Sequence, residues 1–312
     1  MFAQTPADRL IFEGSHGPGK GKEILLLAGD EEYRSEEALP QLARILSQRH
    51  GFKCTVLFSI GKDGTVDPDT QDNQPGLEAL KTADLCIMAL RFRRWPEAQT
   101  RHFAEYLEAG KPILALRTST HAFAHQEGAF ERFGWQSKTW PGGFGRHILG
   151  ETWISHWGDH GKQATRGVAV MEHPVLKGVE GVFGPSDVYE AHPPADAEVL
   201  MRGEVVAGMN VADAPAKGQK KTSKGVEQSL NDPMMPILWT RRAPTGNRVL
   251  TCTMGAATDF LNEGLRRVVV NGAYWLTGLA VPEKADVGLV GDYRPSAFGF
   301  GTFRKGLRPG DF

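Results

Sequence analysis

The chain reads as an α/β protein built on a flavodoxin-like, doubly wound and mostly parallel sheet, with helices on both faces and an insertion rich in Trp and His. Three observations predict this. The runs at 84–90 and 113–116 are continuously apolar rather than alternating, as strands buried on both faces must be. Stretches of helical spacing separate the first four extended segments, and a β-α-β-α-β-α-β order calls for right-handed crossovers and a parallel sheet. The apolar runs break abruptly into polar clusters at their carboxyl ends, which is where open α/β sheets bind ligands.

Residues 1–21, interrupted by Gly14, Gly17, Gly19 and Gly21, read as an irregular N-terminal arm before a domain at 22–281 and a tail at 282–312. Residues 23–28 are the first strand. Ala38, Leu42, Ile45 and Leu46 then repeat at helical spacing, and Gly51 supplies the stop. Residues 52–59 alternate as a second strand. After a polar loop at 61–76, a short helix with Leu77 and Leu80 leads to the strand at 84–90. Pro96 opens a helix at its favoured first position, Phe103, Tyr106 and Leu107 face inward, and Gly110 ends it before the strand at 113–116.

Downstream the pattern loosens. Residues 134–161 carry Trp135, Trp140, Trp153 and Trp157 with His147, His156 and His160, and an irregular stretch of this length is usually functional or inserted. Residues 167–171 read as a strand before the His173-Pro174 turn, and 182–189 lead to His192-Pro193. Segments 197–202 and 205–209 pair as a hairpin across Gly203-Glu204. Residues 212–229, with Lys217, Lys220, Lys221 and Lys224, read as a mobile surface loop rather than a nucleic-acid patch. Residues 235–240 and 248–253 are adjacent strands, and 263–276 form a last helix burying Leu265, Val268, Val269 and Tyr274. The tail wraps either the protein's own surface or a neighbouring subunit, which leaves a homo-oligomer open.

Composition narrows the function. With 312 residues, 40% of them hydrophobic, and a net charge of −1, the chain lacks the basic excess that nucleic-acid binding normally needs. No apolar run reaches the roughly 20 residues of a bilayer span. Residues 1–21 show no signal-peptide pattern, and a mature exported form would look the same, so cytoplasm and periplasm or exterior both stay open. Cys54, Cys86 and Cys252 lie in apparent strands without paired spacing, which fits buried, reduced thiols.

Four strand ends meet at one rim. They contribute Glu31, Glu32 and Tyr33; Arg91 and Arg93; Ser119, Thr120 and His121; and Asp259. Such a polar crevice suits a small ligand rich in hydroxyls or carbonyls, a sugar for instance, with Trp157 and its neighbouring tryptophans as a stacking face. Each residue also has a structural reading. Glu31 and Glu32 can cap the helix that follows, Arg91 and Arg93 can pair with them, and Asp259 can cap the last helix. Ser119 or Thr120 could serve as a nucleophile, although no Gly-x-Ser-x-Gly framework surrounds them. His121, His156 and His160 are candidate metal ligands, and a divalent ion is the one cofactor the residues suggest; no nucleotide or flavin is indicated. A histidine poised near neutral pH can equally act as general acid or base.

Taken in order, these segments resemble the trehalose-utilisation (ThuA-like) family, which has the class I glutamine-amidotransferase-like variant of the flavodoxin architecture. The resemblance runs from about residue 22 to about 281. It rests on the strand ending in His121, on the Gly150–His156 stretch, on the turn at 171–178 around His173-Pro174, on Asp187-Val188-Tyr189, and on the closing strands and helix. Two departures matter. The elbow that holds a cysteine in amidotransferases is Thr118-Ser119-Thr120-His121 here, which argues against glutamine hydrolysis. Gly255-Ala256 stands where many relatives have Gly-His, so Asp259 would have to replace that histidine.

The resemblance implies breakdown of trehalose or related disaccharides, as 3-keto-glycosides, by acid–base chemistry that a metal could assist. It casts His121 as general acid or base, with His156 and Tyr189 as catalytic partners and Glu31 and Arg91 holding sugar hydroxyls. The alternative is a sugar-binding or assembly protein that kept the fold and lost the chemistry.

Overall fold

The computed structural model describes residues 8–125 and 127–312; the first seven residues of the expected arm lie outside that range. Its centre is a ten-stranded sheet. The strands are β1 (Arg9–Phe12), β2 (Glu23–Gly29), β3 (Lys53–Phe58), β4 (Leu85–Leu90), β5 (Ile113–Leu116), β6 (Thr165–Ala169), β7 (Phe183–Gly184) and β8 (Glu198–Val205), a separate pair β9 (Gln219–Lys221) and β10 (Glu227–Ser229), then β11 (Met235–Arg242) and β12 (Arg248–Cys252). The helices are α1 (Ser35–His50), α2 (Glu97–Glu108) and α3 (Glu263–Leu276).

Strands β3, β2, β4, β5 and β12 lie side by side and parallel, with Leu26 opposite Ile87 and Leu114 opposite Leu250. Numbered by their order in the chain, these five run 2-1-3-4-5, a doubly wound order whose ligand crevice lies outside the carboxyl ends of the strands. Antiparallel strands extend both sides: β1 beyond β3, and β11, β8, β6 and β7 beyond β12. The sheet is therefore mixed around a parallel centre.

Alternation along β2 fills two cores. Ile24, Leu26 and Ala28 pack under α1 and α3 against Leu42, Leu46 and Val269. Leu25 and Leu27 face the other way, toward Met88, Phe103 and Leu107 under α2. Helix α1 ends as expected, with Gly51 at φ 80° donating its N–H to Ser47. The three cysteines are buried and free, and burial raises each thiol. Among the described residues, no helix is long and apolar enough to cross a membrane.

Several expectations are corrected. Residues 9–12, read as irregular, form an edge strand on β3. Pro96 caps α2 rather than occupying its first turn. The β6 strand starts two residues earlier than its apolar pattern indicates. The hairpin across Gly203-Glu204 does not exist: β8 runs straight through it, and Gly203 is there because a Cβ would sit 2.6 Å from Ile237 and 3.0 Å from Val188. The lysine-rich segment read as mobile contains the β9–β10 hairpin. Polar contacts rather than apolar burial dock that hairpin, with Ser223 donating to Glu190 (2.6 Å) and Lys220 Nζ to the His156 carbonyl (2.6 Å), which is why hydropathy does not reveal it.

Candidate active site

The loops after β2, β4 and β5 rise at one end of the parallel centre, and segments 153–160, 187–190 and 298–300 close over them. Among the described residues, the non-glycine positions with positive φ are Arg34 (59°), Phe92 (52°) and Arg117 (44°). One follows each of those three strands. Left-handed backbone costs an L-residue about 1–2 kcal/mol, so this strain is concentrated where side chains must be aimed.

Arg117 is the keystone. It is fully buried where β5 ends, and its fork donates through Nη1 to the carbonyls of Asp187 (2.6 Å) and Thr253 (2.9 Å). Through Nη2 it donates to the Asp187 carboxylate (2.8 Å) and the Tyr33 hydroxyl (2.9 Å). The Tyr189 and Tyr33 rings face the guanidinium, at 3.8 Å and 4.5 Å from Cζ.

Asp187 in turn holds two imidazoles: His156 Nδ1 lies 2.8 Å from Oδ2 and His160 Nδ1 lies 2.9 Å from Oδ1. Burial works to raise this carboxyl, but Arg117 and the two imidazole hydrogen bonds outweigh it and hold it well below the usual carboxylate range. An ionised carboxylate only accepts, so both Nδ1 atoms carry protons and both Nε2 atoms point away. His160 Nε2 faces Glu32 at 3.3 Å; carboxylates at both nitrogens favour the imidazolium, and the Asp187 hydrogen bond is the main cause of its raised pKa. His156 Nε2 has no protein partner among the described residues, and an antiparallel bridge with Tyr189 sets its backbone.

Around this centre, Glu31 pairs with Arg91 (2.5 Å) and Arg93 (2.8 Å), and Glu32 Oε2 lies 3.7 Å from Arg91 Nε. Burial raises both glutamates, opposed by the arginines. His121 is buried between Phe92 (4.9 Å) and Trp153 (5.6 Å), with Nδ1 3.2 Å from Thr120 Oγ1. Burial, then Arg91, Arg117 and His156, push its pKa well below the ordinary histidine value, so it is neutral at physiological pH.

The structure brings Glu31, Glu32, Tyr33, Arg91, Thr120, His121, His156, His160 and Tyr189 together. Others named as ligand-binding residues turn inward. Arg93 is fully buried and donates to Ser59, Pro68, Thr70 and Glu31. Trp157 is a core residue donating to the Leu230 carbonyl (2.9 Å) and offers no stacking face; Trp153 occupies the rim instead. Asp259 accepts from Ser186, Gly255 and Ala256 and so caps the short helical turn before α3, while Asn262 caps α3 itself. Ser119 bridges the Leu90 N–H and the Met88 carbonyl, fully buried, and cannot meet a substrate as a nucleophile. His147 stacks on Trp140 (3.9 Å), apart from the centre.

Sequence reasoning missed Arg117 and Asp187 as site residues. The available signal was Arg117 itself, an ionisable side chain directly after four buried apolar residues, where it must find a buried partner. As for a metal, among the described residues His156, His160 and Asp187 offer ligand atoms all within 4.8 Å of one another. Two imidazoles and one carboxylate suit a divalent transition metal. His121 is not in this group.

Comparison with known proteins agrees with the architecture. A ThuA-like protein from Parabacteroides merdae ATCC 43184 shares the fold with a TM-score of 0.52 and 16% identity, over 90% of this chain and 98% of that one. A ThuA-like protein from Bacteroides uniformis ATCC 8492 gives 0.50 and 18%, over 84% and 94%. No curated protein matches. The family described as ThuA, trehalose utilisation, matches residues 24–276, and on that match the chain belongs to the ThuA family.

Proposed function

We propose that this protein acts on a carbohydrate, a glycoside or 3-keto-sugar of disaccharide catabolism, by acid–base chemistry with His156 as the proton carrier. The observation that carries the reading is the pair of imidazoles on one buried carboxylate. Asp187, fixed by Arg117, holds His156 through Nδ1 and leaves Nε2 of this partly exposed side chain without a protein partner among the described residues, the placement a general base requires. A hydrogen on the carbon next to a sugar ketone is acidic enough for an imidazole to remove if the enolate oxygen is steadied. Arg91, partly exposed beside Glu31 and Glu32, supplies positive charge for that oxygen. His121 is a poor base, because protonating it would place a cation in a buried spot already facing two guanidiniums. We assign it the part of a neutral hydrogen-bonding wall, with Thr120.

A metal-assisted version is favoured by the ligand set of His156, His160 and Asp187. A divalent ion bound there would act as a Lewis acid toward a sugar carbonyl or hydroxyl. It would have to displace the two protons now joining the imidazoles to Asp187, so uptake should weaken as pH falls.

The deciding experiment follows 3-keto-trehalose by proton NMR in D₂O, with metal content measured on the same samples. Turnover, or deuterium exchange beside the ketone, that drops by about 10²–10⁴-fold in His156→Ala establishes the base. Tight sugar binding by the native protein without exchange or cleavage would refute catalysis and make this a sugar-binding protein. A stoichiometric metal lost in both His156→Ala and His160→Ala would establish the metal-assisted form.

A further inference from the structure

We propose that the C-terminal segment 296–300 is part of the ligand site, with Phe298 as the stacking platform for a sugar ring and Glu37 as the latch that holds the segment in place. The inference rests on the carbohydrate reading above and adds an element from beyond residue 276, where the family match ends.

Two anchors fix the segment. Ser296 donates its N–H and its hydroxyl to the two oxygens of the buried Glu37 carboxylate, at 2.6 and 2.8 Å, and Arg304 Nε approaches the same group at 3.3 Å. Three residues on, the Gly299 N–H donates to the Glu32 carbonyl (2.8 Å), and the Gly299 carbonyl accepts from Arg34 (2.5 Å). Phe298 is held between these points, 5.2 Å from the Tyr33 ring and 5.5 Å from the His160 ring. Phe300 lies under the Arg91 guanidinium at 4.9 Å.

The placement closes a belt. Trp153 sits 5.8 Å from His156 and 5.6 Å from His121, and His121 sits 4.9 Å from Phe92. With Phe298 beside His160 and Phe300 beside Arg91, aromatic rings flank a centre made of carboxylates, arginine and imidazoles. A pyranose has an apolar C–H face and a polar edge, which this arrangement matches. Other tail aromatics behave differently: Phe303 is buried and Phe312 stacks on Phe58 at 5.5 Å. Phe300 remains 58% exposed, so core formation does not account for it.

The test uses the full chain and two readouts. Carbethoxylation of His160 by diethyl pyrocarbonate, read by peptide mass spectrometry with exposed His16 as internal reference, reports cover without any sugar present. Phe298→Ala and Glu37→Ala should both raise the His160 rate and leave His16 unchanged. Calorimetric binding of 3-keto-trehalose should weaken about 3- to 10-fold in Phe298→Ala and recover in Phe298→Tyr. Unchanged His160 labelling in both variants overturns the proposal, as does unchanged sugar affinity in Phe298→Ala. Raised labelling in a protein that binds no sugar at all would confirm the cover while refuting the sugar-stacking role and the carbohydrate reading.

Discussion

Replacing Arg117 by Met keeps much of the side-chain volume and removes the charge. Four hydrogen bonds at 2.6–2.9 Å disappear, two of them to Asp187, together with the contacts to the Tyr33 and Tyr189 rings. Asp187 then remains ionised and buried with only the histidines to answer it. Breaking a buried pair from one side costs about 3–5 kcal/mol, a large share of the roughly 5–15 kcal/mol that stabilises a whole domain. Urea unfolding should show that loss as a lower midpoint with an unchanged slope. An NMR titration of the folded variant should show Asp187 moving up toward ordinary carboxylate values. Arg117→Lys should recover part of the stability, since it restores charge without the planar fork. A loss below about 1 kcal/mol in Arg117→Met would refute the reasoning, because the guanidinium would then not be what makes Asp187 tolerable in the interior.

Three further outcomes follow from the same geometry. The depressed pKa of His121 means that unfolding takes up a proton once pH falls below about 6.5, so its contribution to stability is complete above that value and is lost as pH drops toward the folded pKa. Chemical unfolding of His121→Gln between pH 7.5 and 5 should have a pH slope flatter by up to about 1.4 kcal/mol per unit, and an unaltered slope would contradict the buried neutral imidazole. Ser119→Ala should lose about 1–2 kcal/mol from its two buried hydrogen bonds yet keep any sugar turnover, and covalent labelling of the native protein by a serine-directed phosphonate would contradict this. Gly145→Ala would place a Cβ 1.9 Å from the Thr120 carbonyl; the expected result is a loss of about 1–3 kcal/mol with weakened sugar binding, and a melting temperature equal to that of the native protein would show that the loop before His121 yields freely.

The parallel centre was legible because its strands are buried on both faces and therefore continuously apolar. The rim was legible for a related reason: polar residues directly after β2, β4 and β5 have nowhere to be except the carboxyl edge. Which way each rim side chain turns was not legible. Arg91 and Arg93 are two residues apart on one turn, yet the first borders the cleft and the second is sealed beneath Pro68 and Thr70, because Phe92 between them is left-handed. Asp259 and Trp157 failed for the same reason, since their partners, Ser186 and Leu230, are about 73 residues away and meet them only through tertiary packing. In the antiparallel half, β11 and β12 were legible as neighbours, but β8 escaped through its glycine: Gly203 reads as a turn in sequence and as a packing contact in space.

Phe92 has a consequence for mutational tolerance. Its backbone is strained at φ 52°, its ring lies beside His121 and Trp135, and it is only half-buried. Glycine there would relieve the strain and forfeit little packing, whereas Arg34 and Arg117, strained likewise, hold too many partners for glycine to be tolerated. A library screened for cellular abundance should therefore enrich glycine at position 92, and the same library screened for sugar turnover should eliminate it. Selection for a durable fold and selection for a working cleft would pull this one codon in opposite directions.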